Sequence, residues 1–439
     1  MTVVRGERVV LPDGVRSAAI YISEGGRILA VAGYADPLPA DVCVLDAGDA
    51  VILPGLVDTH VHINEPGRTD WEGFSHATRA AAAGGVTTLI DMPLNSVPST
   101  TSVGALEVKR RAAEGQCHVD VGFWGGLVPG NGDELRSLVA AGARGFKCFM
   151  APSGVDEFAH VSEKDLHDAL PILASLRVPL LVHAELPSEL RDVDGDAAAY
   201  GTWLASRPPR AESAAVDLLI ALAGKHRTHV HIVHLGAALA LPALRRARSA
   251  GIAVTAETCP HYLAFASEQI PDGAVEYKCA PPIRDAANRE QLWRALADGD
   301  LDMIATDHSP APRSMKQGDF VHAWGGIASL QLGLAAVWTG ASSRGLGFEH
   351  IARWMADAPA RLAGIAGTKG RIAAGADADF VFWNPDENVV VDGSALFHRH
   401  PVTPYNGLTL KGRVIKTWLR GQVIFDSGAI LGQPCGTFI

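Results

Sequence analysis

Residues 51–64 read VILPGLVDTHVHIN. An almost unbroken apolar run is what a strand covered on both faces requires. It ends in His60-Val61-His62, and at the two-residue period of a strand both imidazoles point to one side. A doubly wound sheet that binds a nucleotide would place a glycine-rich phosphate turn after this strand, and VDTHVHINEPG is not one. Seven similar runs follow: GVTTLIDM (85–92), VDVGFW (119–124), RGFKCFM (144–150), VPLLVHAE (178–185), HVHIVHL (229–235), IAVTAET (252–258) and LDMIATDH (301–308). Amphipathic stretches such as EKDLHDALPILASL (163–176) and NREQLWRALADGD (288–300) lie between them, and several stop on glycine. Eight strands with helical crossovers predict an α/β fold, a (β/α)8 TIM-like barrel.

The two chain ends have a different rhythm. Residues 8–33 (RVVLPDGVRSAAIYISEGGRILAVAG), 371–391 and 407–428 alternate apolar and polar side chains, as half-buried antiparallel strands do. Neither fragment could cover its apolar face alone, so the two are expected to join as a small β-sandwich. The expected division is residues 1–52 and 371–439 for the sandwich and 53–370 for the barrel.

Composition removes several function classes. The 439 residues carry 38 Lys+Arg against 48 Asp+Glu, a net charge of −10, so no basic face for nucleic acid is expected. No apolar run reaches the ~20 residues of a membrane span, and the first residues lack a secretory pattern. Cys43, Cys117, Cys148, Cys259, Cys279 and Cys435 contain no CxxC pair. They read as reduced thiols of a cytoplasmic protein.

Metal-type side chains fall at strand ends. His60 and His62 close the first run, Lys147 lies in the fourth, His183 ends the fifth, His234 the sixth and Asp307 the eighth. Each alone has an ordinary structural use, such as a helix N-cap for Asp307. Together they converge on the C-terminal mouth of a barrel, the face where active sites are built. A bare ammonium would be repelled by metal cations there. A Lys147 amine that has captured carbon dioxide as a carbamate becomes instead an anion with two oxygens. The pattern therefore predicts two divalent metal ions about 3.5–4 Å apart, with His60, His62 and Asp307 on one, His183 and His234 on the other, and Lys147 bridging.

Longer segments carry a resemblance. HVHINEPG (60–67), GFKCFMAP (145–152), LLVHAE (180–185), HIVHLG (231–236), ETCPHYL (257–263), YKCAPPIRD (277–285) and ATDHSPAP (305–312) resemble the cyclic amidohydrolases. So do DMPLNSVPSTT (91–101), FVHAWGGIASLQLGL (320–334), KGRIAAGADADFVFW (369–383) and GRVIKTWLRGQVIF (412–425), and the likeness runs nearly end to end. It implies a barrel with a β-sandwich, a binuclear centre of zinc (iron, cobalt or manganese in other members), a carboxylated lysine (N6-carboxylysine) at Lys147, and hydrolytic opening of a cyclic amide or ureide. It also implies a homotetramer. Asp307 would act as general base toward the attacking water and then as general acid toward the departing ring nitrogen.

Two departures narrow the substrate. Dihydroorotases carry an arginine where this chain has Asn64, so a handle for a substrate carboxylate is missing. Hydantoinases and dihydropyrimidinases carry a tyrosine where this chain has Pro152. A neutral small-molecule cyclic ureide, a hydantoin with a ureido arm, fits both absences. The alternatives are a hydantoinase or dihydropyrimidinase and a non-catalytic oligomeric scaffold of the same fold. Candidate substrate contacts are Asn95, the backbone of Ala280 (where relatives often have Ser or Cys), Ser309 and Trp324. Turn capping by Asn95 and Ser309 and core packing by Trp324 are the competing roles. His261 reads as support behind the ligands, and Arg68 and Trp71 as loop packing.

Overall fold

The computed structural model describes residues 1–39 and 42–439. Eight short parallel strands form the barrel: Leu56–Val61, Val86–Asp91, Asp120–Phe123, Phe146–Phe149, Leu180–His183, Val230–Ile232, Val254–Thr258 and Met303–Ile304. They pair in sequence order as two arcs, the second beginning at Gly125–Gly126 beside Phe146–Phe149. Two seams close the ring. At one, Trp124 donates to the Asp91 carbonyl and Gly125 to that of Gly145. At the other, Val61 bridges His308 in parallel and the His62 amide donates to the His308 carbonyl at 2.8 Å. The first barrel strand is buried along its whole length, which explains its continuous apolar character.

Helices cover the outside. Glu163–Leu176 starts at a capping box in which Ser162 and Asp165 satisfy each other's backbone amides. Glycine ends some helices, as at Gly299. Glu163–Leu176 and Pro209–His226 instead close on arginines in the left-handed region, Arg177 (φ 56°) and Arg227 (φ 54°). Among the described residues no helix is long and apolar enough to cross a membrane.

Both chain ends enter one mixed nine-stranded sheet. Val51–Pro54 is its hinge with the barrel, pairing with Thr2–Leu11 on one side and Phe380–Val390 on the other. Val4, Val9, Ile20, Ile52, Phe380, Phe382 and Trp418 form a core of their own inside it. The last residues then return to the barrel, where the Val121 amide donates to the Thr437 carbonyl and the Ile439 amide to that of Val121. A buried ion network fastens this junction. Lys369 Nζ sits 2.6 Å from Asp120, 2.9 Å from Asp377 and 2.8 Å from Asp379, and Arg420 also reaches Asp120. Those three carboxylates lie close enough to hold a metal ion, but the lysine ammonium already supplies the positive charge. The six cysteines are free, with Cys117, Cys148, Cys259 and Cys279 buried.

Candidate metal centre and its cavity

Strand geometry brings the predicted side chains to one mouth. His60 lies in the first strand and His62 just beyond it, Lys147 inside the fourth, and His183 at the end of the fifth. The sixth and eighth strands are shorter than their apolar runs. Val230–Ile232 stops two residues before His234, and Met303–Ile304 three before Asp307. Both residues take left-handed backbone angles, φ 39° at His234 and φ 46° at Asp307. Such angles cost about 1–3 kcal/mol each in a non-glycine residue and persist where surrounding structure imposes them. Here the bend turns both side chains back over the barrel mouth.

Hydrogen bonds set which ring nitrogens are bare. His60 Nδ1 lies 2.5 Å from Glu257 Oε1 and donates to that carboxylate, leaving Nε2 as a lone pair 3.1 Å from Asp307 Oδ1. His62 Nε2 is 3.4 Å from the same oxygen, and the ligand atoms of His60, His62 and Asp307 lie within 4.8 Å of one another. His183 Nε2 donates to Glu185 Oε2 at 2.7 Å, so its Nδ1 faces His234 Nε2 at 3.1 Å. The rings of His60 and His234 are 5.3 Å apart, joining the two groups. Asp58 pins the seam beneath them by accepting from the His60 amide at 3.1 Å and from Thr306 Oγ1 at 2.5 Å.

Burial decides the charges. It holds His62, His183 and His234 below the usual imidazole range, so they are neutral donors of lone pairs at pH 7. Burial pushes the Asp307 carboxyl up, but His60, His62 and His234 outweigh it and keep the group well below the carboxylate range. Burial likewise opposes ionisation of Glu257, yet His60 and His231 bring it down to about 2. Lys147 is fully buried, its Nζ has no hydrogen-bond partner among the described residues, and burial lowers it to about 8. An amine without a hydrogen-bond partner among the described residues, beside neutral imidazoles and a carboxylate, fits a site that would hold divalent ions. The donor set of imidazole and carboxylate suits divalent zinc, manganese, iron or cobalt.

His261 is buried beside Asp307 and Cys259, close enough for all three to form a second candidate group. Both its ring nitrogens lack partners among the described residues, and burial keeps it neutral at about 4.

A cavity of about 340 Å³ opens over the centre, a size suited to a small cyclic molecule. Asn95, Ala280, Ser309 and Trp324 line it, as do Pro152 and Phe149. Asn95 has φ 59° and donates through Nδ2 to Asn64 Oδ1 at 3.0 Å, so the residue standing in place of a carboxylate-gripping arginine braces a wall residue instead. Arg68 donates to the Asn95 carbonyl at 2.6 Å, and Trp71 meets Trp324 edge-on at 5.1 Å. These two support the wall from behind. Gly326 (φ 116°) lets the AWGG loop pass Ser309, since a Cβ there would lie 2.5 Å from the Ser309 carbonyl oxygen.

Sequence reasoning missed several residues here. Glu257 and Glu185 orient His60 and His183, and the signal was a glutamate at or just past a strand end, in AET and HAE. Trp203, Arg207 and Lys278 also line the cavity. They come from helical and loop segments that carried no periodic signal.

The model of the amidohydrolase family matches residues 51–424. An allantoinase of Streptomyces avermitilis is 51% identical over 438 residues, covering 100% of this chain and 98% of that relative. An allantoinase of Arabidopsis thaliana is 43% identical, covering 99% of this chain and 90% of its own length. Among solved structures, an L-hydantoinase (dihydropyrimidinase) from Arthrobacter aurescens superposes with a TM-score of 0.93 at 30% identity, covering 100% of this chain and 99% of that one.

Proposed function

The chain belongs to the amidohydrolase family, and on that premise we propose that it carries out the allantoinase reaction, adding water to a ring carbonyl of allantoin to give allantoate, a step of purine (ureide) breakdown. The observation that carries this reading is the cluster at the barrel mouth: ring nitrogens of His60, His183 and His234, the Asp307 carboxylate, and a Lys147 amine with no hydrogen-bond partner among the described residues, all beneath one cavity. The choice of substrate follows from Asn64 and Pro152 together with the allantoinase relatives.

His60, His62 and Asp307 would hold one divalent ion, His183 and His234 the second, and Lys147 both, as a carbamate. A neutral amine is the form that adds to carbon dioxide: an N–C bond forms, one proton leaves, and a two-oxygen anion results. When bound, such ions polarise the carbonyl and acidify water, which with one zinc already has a pKa near 7. Asp307 is ionised at pH 7 and takes up the proton released as water attacks. It then returns that proton to the ring nitrogen as the C–N bond breaks. Glu257 and Glu185 keep His60 and His183 oriented through both stages. Asn95, the Ala280 backbone, Ser309 and Trp324 form the walls against which the neutral ring is held. The reading extends to zinc as the metal, a cytoplasmic homotetramer, and a barrel of residues 53–370 with a sandwich of 1–52 and 371–439. Light scattering checks the assembly and metal analysis the ion.

The deciding experiment is turnover of purified, metal-analysed protein on allantoin, hydantoin and dihydrouracil. Allantoin is expected to have the highest kcat/KM. Faster opening of hydantoin or dihydrouracil would overturn the assignment in favour of the hydantoinase activity named for the structural relative.

A further inference from the structure

We infer that Arg207 and Lys278 form a subsite for the ureido arm of the substrate, donating to the arm's carbonyl oxygen and so selecting a ring that bears this arm. The inference rests on the ring-opening reaction proposed above and adds the part of the cavity that reads what is attached to the ring.

Both cations line the cavity, and both lie over one indole, Trp203, with the Arg207 guanidinium 5.0 Å and Lys278 Nζ 4.5 Å from its ring centre. Trp203 is fixed in turn by Nε1 donating to the Cys279 carbonyl at 3.0 Å. This corner borders the metal centre. Glu185 Oε2 accepts from His183 Nε2 at 2.7 Å on one side and from Arg207 Nη1 on the other. A single carboxylate thus separates a metal-binding imidazole from the guanidinium. In a ureido-hydantoin the carbon carrying the arm is bonded to a ring carbonyl, so an arm lying in this corner leaves that carbonyl at the centre.

The donors are held and only partly used. Arg284 Nη1 donates to the Arg207 carbonyl at 3.2 Å. Lys278 Nζ donates to the carbonyls of Val321 at 2.9 Å and Ala323 at 2.5 Å, leaving one N–H of its three. Among the described residues no acceptor takes Arg207 Nε or Nη2, and the side chain is 17% exposed. Lys278 faces no carboxylate at ion-pair distance among the described residues, and burial together with Arg207 lowers it to about 8. Glu185 balances the Arg207 charge, but a Lys278 cation without a carboxylate, in a cavity for a neutral ring, is costly unless the ring brings a strong acceptor. A urea carbonyl is such an acceptor, with two lone pairs for two charged donors.

The test pairs each variant with a substrate lacking the carbonyl. Allantoin is compared with 5-propylhydantoin, whose arm is similar in length and has no acceptor, on the wild type, Arg207→Lys and Lys278→Met. Bound metal and melting temperature are measured for each protein. The wild type is expected to prefer allantoin, and each variant to lower the allantoin-to-propylhydantoin ratio of kcat/KM by about 10- to 100-fold. Equal losses on both substrates would mean that these residues only support the fold or the metal centre, and would overturn the inference. So would a wild type that opens the two rings with kcat/KM values within about twofold, a result that does not depend on either variant folding. Wild-type protein that opens dihydrouracil and leaves allantoin untouched would instead refute the proposed reaction.

Discussion

Replacing Glu257 by glutamine separates the charge that supports the metal centre from the shape that supports the barrel. Three groups converge on this carboxylate. Oε1 accepts from His60 Nδ1 at 2.5 Å and from the His234 amide at 3.3 Å, and Oε2 lies 3.1 Å from His231 Nε2. In Glu257→Gln the remaining oxygen can stay with His60 and His234 while the amide NH₂ faces His231. The His231 hydrogen can then move to Nδ1, where Thr255 Oγ1 lies at 2.8 Å to accept it. No buried polar group is orphaned, so the fold should survive. What is lost is the anion that makes His60 a stronger ligand. Such outer partners are worth about 10- to 100-fold in metal affinity, or roughly 1.4–2.7 kcal/mol. Glu257→Ala removes the acceptor as well, leaving two buried imidazoles short of a bond at about 1–3 kcal/mol each. It should therefore lose metal and also melt earlier. The assay is metal occupancy after equilibration with a graded chelator buffer, with the melting temperature measured on metal-free protein. A folded Glu257→Gln protein that holds metal within about twofold of wild type would refute the role assigned to the Glu257–His60 bond.

Other predictions follow from the same geometry. Lys147→Ala should abolish turnover and reduce bound metal, with partial recovery when a short carboxylic acid and bicarbonate are supplied; full activity in this variant would end the carbamate reading. Asp307→Asn removes the proton carrier and should cost about 10²–10⁴ in kcat while most metal is retained, and parallel loss of metal and rate would make Asp307 chiefly a ligand. Chelation should abolish activity, and re-addition of zinc or manganese should restore it; activity that survives complete metal removal would contradict the whole centre. Asp120 gives a pH test of stability. Burial raises this carboxyl, but Lys369 and Arg420 together hold it below the ordinary value of 3.8. Its stabilisation is thus complete above that pH and fades as pH falls through the lower folded value. Asp120→Asn should cost about 3–5 kcal/mol at pH 7 and less at a pH below 3.8. An equal cost at both pH values, by chemical denaturation, would show that the charge is not what matters.

Much of this molecule is written locally in the chain. The apolar runs that carry His60, Lys147 and His183, the alternating ends, and the capping signal at Ser162 each depend on neighbours within a few residues. The strand period by itself places His60 and His62 on one side. The net charge of −10 argues against a basic nucleic-acid surface before any fold is known. Other features could arise only once the ring closed. His234 and Asp307 lie beyond their strands at left-handed angles, and only the closed ring turns both toward one mouth. Glu257 meets His60 across 197 positions of sequence, and Lys369 meets Asp120 across 249. Arg207 and Lys278 share one indole although they come from separate segments. The residues of this chain thus determined which chemistry was possible and on which face of the barrel it would collect. Tertiary structure decided which nitrogens are bare, which carboxylates are charged and what the cavity wall can grip. The reason is that burial and long-range charge, which set those properties, exist only between parts of the chain that folding brings together.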